Sequence, residues 1–239
     1  MIEKAYVYQN GDEIEQGARY YIGSEFCERL LPSPADCKRI IERIRTKGGQ
    51  CTLCTSWVTD TERVLRLLPI LEPEDEIVFN DWGVFASLKN TAHPLIMGRL
   101  LNPQKKDPRS SRDRTAPPFI GERFGKMLLR QNVIAIECDD PEQIQDFSDT
   151  PIPGHLCYPY SYITVTRKCL IANSTSLRNR PLAITSCNGQ CTDTISMKNE
   201  HFDLLLKGNV QLIDKSHIPL DKKRLRQKGI TRIVYQSRP

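Results

Sequence analysis

The sequence predicts an α/β fold: a (β/α)8 TIM-barrel-like arrangement, regular or distorted, forming a single domain over residues 1–239. Three observations lead there. Apolar strand-like runs alternate with helical segments at intervals of roughly twenty to twenty-five residues, the rhythm of a parallel sheet. About seven such units fit in 239 residues, close to the size of an eight-fold barrel. No low-complexity tract or linker divides the chain, and only a proline-rich turn at 149–154 interrupts the composition. A doubly wound open sheet is the alternative, but no glycine-rich phosphate loop follows any strand.

The elements follow in order. Ser33-Pro34 reads as an N-cap followed by proline at the first helical position, with Ile40, Ile41 and Ile44 at helical spacing behind it and Gly48-Gly49 as the stop. Residues 51–58 are rich in strand formers, and Asp60 caps a second helix carrying Val64, Leu65, Leu67 and Leu68. Residues 76–80 form a strand, 85–88 a short helix, and 94–98 another strand. Residues 119–130 read as a helix, 132–137 as a strand, and 140–147 as a helix opened by Asp140-Pro141. Further strands are expected at 154–157, 209–213 and 230–235, with a basic helix at 220–228 between the last two.

Composition narrows the function classes. Hydrophobic residues make up 39% and charged residues 26%, a folded rather than disordered chain. The first residues carry acids and no apolar core, so no signal peptide is expected, and no apolar run is long enough to span a membrane. A cytoplasmic location follows as an expectation. The net charge of +5 is concentrated in two stretches. Residues 99–114 hold six bases against two acids, and 215–228 hold six bases against Asp221. Either could face an anionic partner, nucleic acid included, or be a solvated loop and a solvated helix face.

Nine cysteines are many for this length, and four of them fall within 35 residues. Cys157, Cys169, Cys187 and Cys191 read C-x11-C-x17-C-x3-C. In a reducing compartment such a group is better read as a metal or iron–sulfur site than as disulfides. Four thiolates suit a cubane 4Fe–4S cluster or zinc. The spacing lacks the C-x2-C pairs of zinc fingers and ribbons, which favours the cluster. Asn188-Gly189 is a turn signal between the last two, and the Arg167-Lys168 pair beside Cys169 favours thiolates. Four unrelated buried cysteines are the plain alternative. Cys51 and Cys54 also form a C-x2-C, but on a strand residues three apart face opposite sides, so they are read as packing residues.

Other candidate site residues sit at expected strand ends. Asn80-Asp81 follows a strand, where ligands bind on a barrel rim, although Asn-Asp is also a common helix-capping turn. Arg99 and Arg109 follow the next strand and could grip an anionic small-molecule substrate in two-point fashion, or pair with Asp81 or Glu137. Glu137, Cys138 and Asp139 end a strand and are either candidates for the same rim or ordinary strand-end residues. His93, His155, His201 and His217 lie in unrelated contexts, with no G-x-S-x-G or H-E-x-x-H motif to support a hydrolase.

The cysteine segment, with Arg167, Cys169 and Leu170, then Asn179-Arg180, then Cys187 and Cys191, resembles the collagenase-like peptidase family 32 of unassigned catalytic type. The strand ending in Asn80-Asp81 is similar to that family's N-D turn. The family includes the UbiU/UbiV-like iron–sulfur proteins of anaerobic ubiquinone hydroxylation. The resemblance implies a barrel-like fold and a 4Fe–4S cluster on four cysteines. It also implies oxygen-independent hydroxylation of a small molecule or RNA, with prephenate as the oxygen source in some members. Other members are named as peptidases or collagenases. Cys169, Cys187 and Cys191 carry over as ligands, with Cys157 as the fourth and Cys27 or Cys37 as competitors for that place. A peptidase, and a non-catalytic iron–sulfur subunit docking a protein partner, are the competing functions.

Overall fold

Eight parallel strands close on themselves in the computed structural model, which describes residues 1–104, 121–167, 169, 171, 187, 191, 194–198 and 203–239. In chain order the barrel strands are β1 (Glu3–Val7), β2 (Arg19–Gly23), β3 (Gln50–Cys54), β4 (Glu76–Phe79), β5 (Leu95–Met97), β6 (Val133–Cys138) and β7 (Gly154–Tyr158). The last, β12 (Ile230–Tyr235), sits between β7 and β1 and completes the ring. The TIM-barrel-like expectation is met and the open sheet is excluded.

Helices cover the outside as the sequence pattern requires. Helix α1 (Pro34–Arg45) opens on Ser33, whose Oγ accepts from the Asp36 N–H at 3.1 Å, with Pro34 at the first position. Its Cys37, Ile40, Ile41 and Ile44 face the barrel. Helices α2 (Glu62–Leu65), α3 (Trp82–Leu88) and α4 (Glu122–Arg130) follow β3, β4 and β5. Their apolar faces and the outward residues of the strands form one continuous core.

Two departures from the regular repeat matter for the site. No helix forms at 140–147. Asp140 Oδ1 instead accepts from the N–H groups of Glu142 and Gln143, a turn that competes with helix. Between β7 and β12 the chain inserts an antiparallel sheet of β8 (Tyr160–Val165), β9 (Ile195–Lys198), β10 (Asp203–Lys207) and β11 (Val210–Asp214), in the order β8-β11-β10-β9. The strand expected at 209–213 therefore exists but belongs to this sheet. Helix α5 (Lys222–Gln227), capped by Asp221, returns the chain to the barrel. Lys228 pairs with Asp146 at 2.5 Å, and Lys222 to Arg224 face solvent, so most of the second basic stretch is a solvated helix.

The barrel interior is layered. At the end where the strands begin, Arg232 donates to both Glu76 oxygens at 2.6 and 2.8 Å and to Glu3 at 2.7 Å. Arg19 donates to Glu3 at 2.9 Å and Gln50 at 2.6 Å. This ion network closes the floor. Above it Ala5, Tyr21, Cys54, Val78, Ile96, Ala135, Cys157 and Val234 fill the ring. The inserted sheet packs over the opposite end through Leu100, Tyr160, Tyr162, Val210 and Leu212, with Phe26 and Trp57 beside them. Among the described residues no helix is long and apolar enough to cross a membrane.

Candidate metal centre at the barrel mouth

A cavity of about 580 Å³ opens at the C-terminal ends of the strands, where barrels of this kind carry their sites. Six of the nine cysteines line it: Cys27, Cys54, Cys157, Cys169, Cys187 and Cys191. They divide by neighbourhood. Burial pushes the Cys27 thiol up, and Cys191 and Cys187 push it further. Burial and the nearby Cys169 and Cys187 do the same to Cys191. Cys27, Cys169, Cys187 and Cys191 therefore stand together in the outer part of the cavity.

Local geometry explains how Cys27 arrives there. Strand β2 ends on Gly23 at φ +110°, where a Cβ would come within 2.3 Å of the Cys54 carbonyl oxygen. Only glycine lets the chain fold so closely over the end of β3. Ser24 N–H then donates to that carbonyl at 3.1 Å, and Ser24 Oγ accepts from the Cys27 N–H at 3.3 Å. From the other side, β10 and β11 are joined by Gly208-Asn209. Gly208 at φ +60° occupies the first position of this two-residue loop, which favours glycine there. Its missing side chain leaves room beside the thiols, since a Cβ would lie 3.4 Å from Cys191 Sγ and 4.0 Å from Cys169 Sγ. Asn209 Nδ2 donates to the Phe26 carbonyl at 2.6 Å and the Thr166 carbonyl at 2.7 Å. One side chain thus ties the Cys27 loop to the strand that leads to Cys169.

Cys157 occupies a different place. It lies on β7 inside the barrel ring, buried, and burial followed by Glu137 holds its thiol well above the ordinary range. Cys37 lies on the inner face of α1, in the outer core. Cys51 and Cys54 fall in the outer core and the barrel ring respectively, on opposite faces of β3 as strand alternation requires.

The rim residues sort differently from the sequence expectation. Asn80 is wholly buried. Its Nδ2 donates to the Thr55 carbonyl at 2.8 Å and its Oδ1 accepts from the Leu100 N–H at 3.2 Å, which braces the ends of three strands. Asp81 caps α3, accepting from Gly83 and Val84 N–H at 2.7 and 3.1 Å. Neither lines the cavity. Arg99 does line it, but at 1% exposure its fork is committed. Nε and Nη2 donate to the two Glu25 oxygens at 2.6 and 2.7 Å, and Nη1 to Asp139 at 3.2 Å and the Tyr160 carbonyl at 2.5 Å. Its guanidinium also lies 5.2 Å from the Phe26 ring centre. Burial opposes the charge, but Glu25 and Asp139 outweigh it. Arg109, Asn179 and Arg180 lie outside the described residues.

Glu137 reaches the inner end of the cavity from β6, while Cys138 turns outward into the helix-facing core. Burial, and then the Glu25 charge, raise the Glu137 carboxyl to about 8. Cations line the outer wall instead: Arg29, Lys207 and Arg238.

As they lie, no three His, Cys, Asp or Glu side chains among the described residues are gathered tightly enough to clasp one metal ion. The donor chemistry nonetheless fits a soft metal or cluster: four thiols line one cavity, Lys207 offsets a part of the upward push on Cys191, and a glycine leaves space beside them. The chain matches no family model, no curated protein and no solved structure. Sequence reasoning missed Glu25, Gly208 and Asn209, and reached Cys27 only through the family resemblance. The Gly-Asn pair before a strand was the one local signal available.

Proposed function

We propose that this chain holds a 4Fe–4S cluster on Cys27, Cys169, Cys187 and Cys191 and takes part in oxygen-independent hydroxylation of a small molecule. The observation that carries the reading is that those four thiols line one cavity at the mouth of a barrel, each within electrostatic reach of others in the set, although Cys27 is 142 residues from Cys169 in the chain. The hydroxylation half rests on the resemblance to collagenase-like peptidase family 32. A bound cluster with four thiolate ligands supplies one-electron transfer. Binding would draw the four sulfurs inward, and Lys207 offsets a part of the burial that raises the Cys191 thiol. Cys157 is left out of this ligand set because its surroundings are Glu137, Arg99 and Glu25 rather than other thiols. An anionic co-substrate, prephenate included, is best met by Arg29, Lys207 and Arg238 in the outer wall, since Arg99 has no donor pair to spare for it.

Anaerobic purification followed by iron and sulfide quantification tests the reading. The wild type should be brown and hold about four irons and four sulfides per chain. Cys27→Ala should lose most of that iron, and Cys157→Ala should keep it. Iron lost from Cys157→Ala but kept in Cys27→Ala would return the fourth place to Cys157. A colourless protein loaded with zinc would replace the cluster by a structural zinc site. Hydroxylated product that persists when the gene is deleted would remove the catalytic half.

A further inference from the structure

The inner end of the cavity has a chemistry of its own. Val7, Tyr21, Cys54, Cys157 and Val234 form a mainly apolar collar there. Glu137 stands among them at 1% exposure, and its Oε1 has no hydrogen-bond partner among the described residues. A buried carboxyl oxygen left unpaired is costly, and such an atom in a native fold calls for an explanation. The floor network does not reach it: Arg232 spends its donors on Glu76, Glu3 and Tyr21. Nor does the Arg99 guanidinium, whose donors go to Glu25, Asp139 and Tyr160, although the Arg99 backbone N–H lies against the carboxyl group.

The local charge balance selects the ligand. Arg99 is matched by Glu25 and Asp139, and Arg232, whose charge also acts on Glu137, is matched by Glu76 and Glu3, so neither cation is left unpaired beside Glu137. An anion finds no spare positive charge there. An ammonium is matched only by an ionised Glu137, and burial together with Glu25 favours the protonated form. A hydroxyl suits both forms, because it donates to a carboxylate and can donate to or accept from a carboxylic acid. The cavity, about 580 Å³, lies in the ordinary range for small-molecule sites.

We propose that the barrel mouth binds a small, mainly apolar, uncharged molecule whose hydroxyl engages Glu137 Oε1. This site does not depend on a cluster in the outer part of the cavity, and iron content reports on that separately.

The test uses three probes with one ring and different heads: benzyl alcohol, benzylamine and benzoate. Each is titrated at neutral pH into the full chain carrying carbon-13 in its valine methyls and glutamate carboxyls. Benzyl alcohol should shift the Val7 and Val234 methyls saturably, and bind at least about fivefold more tightly than the other two. Benzoate or benzylamine binding equally well or better would overturn the uncharged-ligand assignment. No saturable shift with benzyl alcohol would overturn the site. The Glu137 carboxyl signal of the wild type should move with the same affinity as the methyls, and a signal that stays put would remove Glu137 as the contact. Glu137→Leu, with folding checked by its thermal melt, should bind benzyl alcohol about tenfold more weakly. Unchanged affinity in a folded variant would also overturn the proposal, and the wild-type carboxyl signal decides if that variant does not fold.

Discussion

Replacing Arg99 by methionine should cost the fold about 3–5 kcal/mol, because it breaks a buried ion pair from one side. The magnitude follows from what is stranded. Glu25 loses both of its charge-assisted bonds, at 2.6 and 2.7 Å. Asp139, itself 1% exposed, loses the Arg99 bond at 3.2 Å and keeps the Tyr162 N–H at 2.8 Å. The Tyr160 carbonyl loses a donor at 2.5 Å. Methionine fills much of the volume, so the loss reports the charges rather than a cavity. Against a typical total stability of about 5–15 kcal/mol this is a large share. Urea unfolding followed by circular dichroism should show a midpoint lowered by about 1–2 M at neutral pH. An Arg99 free to grip substrate would behave otherwise: its loss would leave the midpoint nearly unchanged. A shift corresponding to less than about 1 kcal/mol would refute the structural role derived from these bonds.

Two further outcomes follow from the same geometry. The Glu137 carboxyl is raised to about 8 from 4.5, so the folded state holds this proton where the unfolded state has lost it. Its stabilising share is full below about pH 4.5 and disappears as pH rises toward 8, so between those values the wild type should lose on the order of a few kcal/mol relative to Glu137→Gln, and parallel stability curves would contradict the assignment. Asn209→Ala strips the donor from the Phe26 and Thr166 carbonyls and should cost about 2 kcal/mol, a fall of roughly 4–8 °C in Tm, with lower iron retention although no cysteine is touched; an unchanged melt and full iron would show that the tie is dispensable.

The parts of the fold that obey one local rule could be read from the sequence. Helix α1 was legible because its cap, its N1 proline and the Ile40, Ile41, Ile44 stripe all agree. Strands β1 and β2 were not, because their inward residues include Glu3 and Arg19. Those side chains satisfy each other and Arg232 across the floor, a pairing that no local hydrophobic pattern reveals. The expected helix at 140–147 gave way to an Asx turn at Asp140. Strand β11 was seen, but assignment to the barrel failed because the partners that make it antiparallel, β8 and β10, are specified only by the insertion as a whole. At the site, the segment holding Cys169, Cys187 and Cys191 was conspicuous by spacing, whereas Cys27 is isolated in sequence and joins them only through the Gly23 turn. Asn80 and Asp81 were placed correctly at a strand end. Their work is to brace the backbone and cap α3, which a strand-end position alone cannot distinguish from ligand binding.

The route by which these elements meet bears on how the site depends on folding. Cys27 comes from the loop between β2 and α1, and the other three thiols come from the segment between β8 and β9. Neither piece is near the other until the barrel has closed and the inserted sheet has packed on its mouth through Tyr160, Tyr162, Val210 and Leu212. Asn209 and Arg99 make the joint at that stage, one through two carbonyls and the other through Glu25, Asp139 and Tyr160. The cluster proposed above, if shared by all four thiols, would bind only the docked arrangement and would help to hold the sheet against the barrel. The inner pocket depends less on that docking. Its collar and Glu137 belong to barrel strands, so it is formed once the ring closes, and the two ends of one cavity can be gained or lost separately.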